Sequence, residues 1–104
     1  MTMEPELIYH ITTKEHWNNA VARGQYEADT LATEGYMHCS TADQVAGVLE
    51  RYFKGRTGLV KLTVDRAKVE RPLVFELAGS INELFPHIHG PLNLDAVISV
   101  TEIQ

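Results

Sequence analysis

Tyr36-Met37-His38-Cys39-Ser40-Thr41-Ala42-Asp43-Gln44-Val45-Ala46-Gly47-Val48-Leu49-Glu50-Arg51-Tyr52-Phe53 runs from a short strand into an amphipathic helix. Val45, Val48, Leu49, Tyr52 and Phe53 fall at i, i+3, i+4, i+7 and i+8, the apolar stripe of a helix that Gly55 ends. Ahead of the stripe, Thr41 and Gln44 have the spacing of a capping box, and Ser40 is a second N-cap residue type. Residues 36–39 read as strand, so the chain turns from sheet to helix at His38-Cys39-Ser40-Thr41.

Upstream, residues 7–11 are rich in strand formers, and Thr12-Thr13-Lys14-Glu15 has the Thr-x-x-Glu spacing that starts a helix. That helix carries Trp17, Ala20 and Val21 on one face and stops at Gly24, while residues 25–35 read as polar and irregular. Downstream, Val60, Leu62 and Val64 alternate with Lys61 and Thr63, as in a half-exposed strand. Residues 73–77 read as a strand after the turn at Pro72, 82–85 as a helical turn, 86–91 as a rigid loop and 96–101 as a closing strand. Helices early and strands late predict an α+β fold, with two small curved, mainly antiparallel sheets and two short helices.

With 104 residues, of which 44% are hydrophobic and 22% charged, residues 1–104 read as a single domain of ordinary globular composition. The formal charge of −5 argues against strong non-specific binding to a nucleic-acid backbone. It is unevenly spread, because Lys54, Arg56, Lys61, Arg66, Lys68 and Arg71 face only Asp65 and Glu70, a local surplus attractive to a phosphate-bearing ligand. A single cysteine, Cys39, forms no disulfide within the chain and agrees with a reducing compartment. No apolar run approaches a membrane span, and residues 1–7 contain two acids where a signal peptide has a basic start. The expectation is a cytoplasmic protein, away from membranes, a monomer or weak homodimer.

Five histidines in a chain this short are a high count. His10 and His38 lie inside strands, His87 and His89 lie between Pro86 and Pro91, and His16 lies on the first helix, where it is expected to face solvent. Side chains at i and i+2 of a strand share a face, so His10 points with Thr12, and His38 with Ser40. Imidazole beside hydroxyl suits sugar hydroxyls and amides. Cys39, out of phase with both neighbours, is expected in the core. The His87-x-His89 spacing also occurs in metal sites, and with His10 or His38 it would complete three ligands.

Three blocks, Tyr9-His10-Ile11-Thr12, Gly35-Tyr36-Met37-His38-Cys39-Ser40-Thr41 and Phe85-Pro86-His87-Ile88-His89-Gly90-Pro91-Leu92-Asn93, resemble domain-of-unknown-function family 952, small bacterial proteins. The same blocks resemble a reduced ADP-ribosyltransferase-like fold, especially its RNA 2′-phosphotransferase branch. That resemblance implies a cleft between two sheets that takes NAD as substrate, with His10 on the ribose, His38 and Ser40 beside the nicotinamide end, and Glu83, His87 or His89 on a ribose hydroxyl. It implies His10, His38, Ser40 and His89 as catalytic residues, and Thr12, Thr41, His87, Gly90 and Asn93 as substrate contacts. Catalysis would stabilise an oxocarbenium-like ribose as nicotinamide leaves. Two other readings stand beside it: a nucleotide-binding module without chemistry, and a small metal-dependent enzyme using His87 and His89.

Overall fold

The structure, a computed structural model, describes residues 6–78 and 81–103. Residues 1–5, 79, 80 and 104 of the single-domain reading lie outside the described residues. In chain order the elements are β1 (Leu7–Thr13), α1 (Lys14–Arg23), β2 (Gln25–Tyr26), α2 (Asp29–Glu34), β3 (Met37–His38), α3 (Val45–Tyr52), β4 (Leu59–Asp65), β5 (Leu73–Ala78), β6 (Ile81–Ile88), β7 (Leu92–Asn93) and β8 (Val97–Glu102). They form an α+β fold whose sheets, with strand orders β1-β4-β8, β3-β6-β5 and β2-β7, are antiparallel at every pairing.

The alternation in β4 has its expected outcome: Val60, Leu62 and Val64 are buried, while Lys61 and Thr63 are half-buried. These residues meet Ile8 of β1, Met37 and Cys39 beside β3, and Ile88 of β6 in one core that joins the two three-stranded sheets. Burial of a Leu or Ile side chain is worth about 1.5–3 kcal/mol, so this shared core holds the sheets against each other.

Three expectations need correction. First, residues 25–35 are not irregular throughout, because β2 pairs with β7 and α2 takes Asp29–Glu34. That helix buries no residue fully, so it has no apolar stripe to read; its marker is Gly35, whose φ of 86° closes it in a left-handed cap. Second, residues 82–85 are not a helical turn, and 86–88 are not loop; all belong to β6, the central strand of its sheet. Pro86 is tolerated there because β3 pairs only through Met37 and His38, and beyond them the Pro86 carbonyl, which a proline keeps, accepts from Cys39 N–H at 2.9 Å. Third, the cap of α1 is Thr13, whose Oγ1 accepts from His16 N–H at 3.0 Å, one residue later than the Thr12–Glu15 spacing suggests. Thr12 stays in the strand, buried.

The two larger sheets touch at one further place. Tyr9 and Ser40 form an isolated antiparallel bridge, with Tyr9 N–H donating to Ser40 O at 2.8 Å and Ser40 N–H to Tyr9 O at 2.7 Å. This bridge sets β1 beside the segment leading out of β3. The candidate site lies there.

Candidate functional site

A cleft of about 530 Å³ opens where β1 meets the end of β3. His10 and Thr12 line it from β1, and His38 and Ser40 from the end of β3 and the residues after it, together with their out-of-phase neighbours Ile11 and Cys39. Val48, Tyr52 and Phe53 of α3 and Phe85 of β6 give it an apolar side, Arg56 contributes a cation, and Asp29 and Glu34 contribute carboxylates. A more open hollow of about 580 Å³ beside Asn18, Asn19 and Thr57 contains no histidine.

His10 is buried, and both of its ring nitrogens are used. Nδ1 lies 2.6 Å from the His38 carbonyl, which only accepts, so Nδ1 carries the proton and donates. Nε2 is then the acceptor for the Tyr26 hydroxyl at 2.8 Å, and Tyr26 in turn bonds the Thr12 hydroxyl. Burial holds His10 down at about 4, which keeps it neutral and makes this tautomer stable near neutral pH. Burial also pushes the Tyr26 phenol up to about 12. Thr12, Tyr26 and His10 thus form a chain of neutral hydrogen bonds that ends on the backbone of the strand carrying His38.

His38 is more accessible. Its Nε2 lies 3.2 Å from Glu34 Oε1, so Nε2–H donates to that carboxylate at the edge of the cleft. Across the sheet it is paired with His87, and the two rings meet edge to face with centroids 4.8 Å apart. His87 Nδ1 and His89 Nε2 each donate to Glu76 Oε1 at 2.9 Å, and these two bonds hold the Glu76 carboxyl below the usual carboxylate range. Tyr36 stacks on the His87 ring at 4.3 Å. The other His87 nitrogen, Nε2, is buried without a hydrogen-bond partner among the described residues. Leaving such a group unpaired costs about 1–3 kcal/mol.

The remaining sequence candidates are placed elsewhere. His87 and His89 share the sheet face of His38 but turn onto Glu76 and do not line the cleft. Thr41 accepts a place at the start of a short 3-10 turn (Ala42–Gln44), where its N–H donates to Gln44 Oε1 at 2.9 Å and its hydroxyl to Asp43. Asn93 ties two loops, accepting from Glu70 N–H and donating to Lys68 O and Asp95. Gly90 packs its backbone against Arg71. Glu83 accepts from the Gln44 amide at 3.3 Å, outside the cleft, and Phe85 is the residue of that block that lines it.

His16 is not turned to solvent, since its Nε2 bonds the Glu27 carbonyl at 2.9 Å and its ring lies against Tyr26. Cys39 is in the core, as expected, and burial raises its thiol to about 12. Among the described residues no group of three His, Cys, Asp or Glu side chains is arranged to hold a metal ion. The surplus of cations after Lys54 is dispersed: Lys54 pairs with Glu50, Lys61 lies over Tyr9 and Arg66 over Phe75. Sequence reasoning missed Tyr26, Glu34 and Glu76; for Glu76 a signal existed, a lone acid inside Leu73-Val74-Phe75-Glu76-Leu77.

The family model for proteins of unknown function numbered DUF952 matches residues 11–100. The chain belongs to the DUF952 family. The crystal structure of protein CC0527 from Caulobacter crescentus is similar to this DUF952 chain, with a TM-score of 0.85 at 28% identity over 94% of this chain and 86% of that one. Its solution NMR structure gives 0.82 at 28% identity, over 96% and 86%. No curated protein matches this DUF952 sequence. Among the described residues no helix is long and apolar enough to cross a membrane.

Proposed function

We propose that the cleft binds NAD or a related ribosyl nucleotide and that the protein transfers or hydrolyses its ADP-ribosyl group. The observation that carries this reading is the convergence of His10, Thr12, His38 and Ser40, from two sheets, on one cleft with an aromatic side. Tyr52, Phe53 and Phe85 suit the faces of planar rings, Arg56 suits a phosphate, and the Ser40 hydroxyl suits a ribose or carboxamide. The acids Asp29 and Glu34 complement a cationic nicotinamide ring. The fold resemblance stated from the sequence supports the same ligand class by analogy.

A thermal-shift series with NAD, ADP-ribose, nicotinamide and a 2′-phosphorylated nucleotide tests the reading. NAD or ADP-ribose is expected to raise the melting temperature with concentration, following RT ln(1 + [L]/Kd), and Ser40→Ala to reduce the rise. Nicotinamide release, followed by chromatography, tests the chemistry. Absence of any nucleotide-dependent shift in the wild type overturns the reading.

The occupied nitrogens of His10 favour one alternative, nucleotide binding without turnover. In that case the stabilisation remains and nicotinamide is not released.

A further inference from the structure

His38 and His87 are adjacent imidazoles whose outer nitrogens are each committed to a different carboxylate. His38 gives Nε2–H to Glu34, and His87 gives Nδ1–H to Glu76. A neutral imidazole carries one proton, so the nitrogens left over, Nδ1 of His38 and Nε2 of His87, are both bare acceptors. The rings that carry them are 4.8 Å apart at an interplanar angle of 71°. One of the two acceptors, His87 Nε2, is buried with no donor to it among the described residues. A second donor, His89, reaches the same Glu76 oxygen, and Tyr36 stacks on the His87 ring.

We propose that His38 and His87 are a two-imidazole proton site, in which one proton taken up at the cleft edge by His38 is shared with His87 Nε2 between the flanking carboxylates Glu34 and Glu76. The proton balance is simple: His38 Nδ1–H⁺ donates to the His87 Nε2 lone pair, leaving His38 neutral and His87 an imidazolium held by Glu76. The reverse transfer returns the proton to the cleft. The groups that face the pair are Glu34 from α2, Tyr36 ahead of β3, Glu76 from β5 and His89 following β6, with His10 behind His38 on β1. Glu34 and Glu76 favour the shared proton, burial of His87 opposes its residence there, and His10 and His89 oppose a second one. His87 and Glu76 are thus positioning residues, and His38 delivers a proton to whatever occupies the cleft.

The use of that proton in catalysis rests on the nucleotide reading above, but the proton site itself is testable in the free protein. Imidazole ¹⁵N spectra recorded from about pH 5 to about pH 8.5 report tautomer and protonation of each ring. In the wild type, His87 is expected as the Nδ1–H tautomer, and His38 and His87 are expected to titrate together in two macroscopic steps. In His87→Phe, the His38 curve is expected to collapse to a single step, and in Glu76→Gln the upper step is expected to fall. Should His87→Phe fail to fold, Glu76→Gln, altered at a half-exposed side chain, decides alone. Identical single-step His38 curves in the wild type and in the variants that fold overturn the proposal. Coupled titration with no nucleotide-induced thermal shift leaves the proton site standing and removes the nucleotide reading; a nucleotide shift with uncoupled titrations does the opposite.

Discussion

His10 donates its Nδ1 proton to the backbone carbonyl of His38 across 2.6 Å, so the two histidines predicted for one cleft are joined through side chain and main chain. The bond fixes the tautomer of His10 and anchors the strand from which His38 projects.

The first prediction concerns pH. Unfolded His10 takes up a proton near 6.5, whereas folded His10 does so only at about 4. The unfolded state therefore binds more protons between these values, and stability rises with pH across them. The contribution is fully present above about pH 6.5 and lost progressively as pH falls toward about 4, a loss on the order of 3 kcal/mol. Urea titrations at stepped pH are expected to show that slope, and replacement of His10 by Gln to flatten it.

Tyr26→Phe removes the donor to His10 Nε2 while keeping the ring. The variant is expected to be less stable by about 1–3 kcal/mol, the cost of a buried acceptor left unpaired. Chemical denaturation measures it, and the pH slope assigned to His10 is expected to change in the same variant.

At Gly90, φ is +150°, and an added Cβ would stand 2.7 Å from Arg71 Cγ. Gly90→Ala is therefore expected to destabilise by about 1–3 kcal/mol through backbone strain and displacement of Arg71. Urea denaturation of the variant and the wild type measures the difference.

Burial at 2% exposure and a thiol raised to about 12 make Cys39 inert in the native state. Alkylation by iodoacetamide at pH 8 is expected to be at least about a thousandfold slower than in denatured protein, because the thiolate is the nucleophile. Mass spectrometry of native and urea-treated samples gives the ratio.

Local periodicity made part of this molecule legible. The stripe from Val45 to Phe53 marked α3, the alternation of Val60, Leu62 and Val64 marked the buried face of β4, and the same period put His10 with Thr12 and His38 with Ser40. What escaped lies where tertiary contacts override local signals. Pro86 reads as a loop residue, yet it stands in a central strand because its neighbour β3 is only two residues long. The helix α2 has no stripe to betray it. Tyr26 and His10 are 16 residues apart and Glu76 and His87 are 11 apart, so neither hydrogen bond follows from spacing along one element. Glu83 was a reasonable acid to expect at the cleft, but it stands two residues before Phe85 on β6 and meets the Gln44 amide outside it, so Phe85 lines the cleft and Glu83 does not.

The Tyr9–Ser40 bridge joins the two large sheets by a single pair of peptide hydrogen bonds beside the cleft. The shared core and the His10–His38 bond hold the same two sheets, so parting this one pair would loosen the rim of the cleft while each sheet keeps its own ladder. The amide protons of Tyr9 and Ser40 are then natural gauges of that local breathing: deuterium is expected to reach them ahead of their neighbours in β1 and β4, and an occupant of the cleft to slow both together.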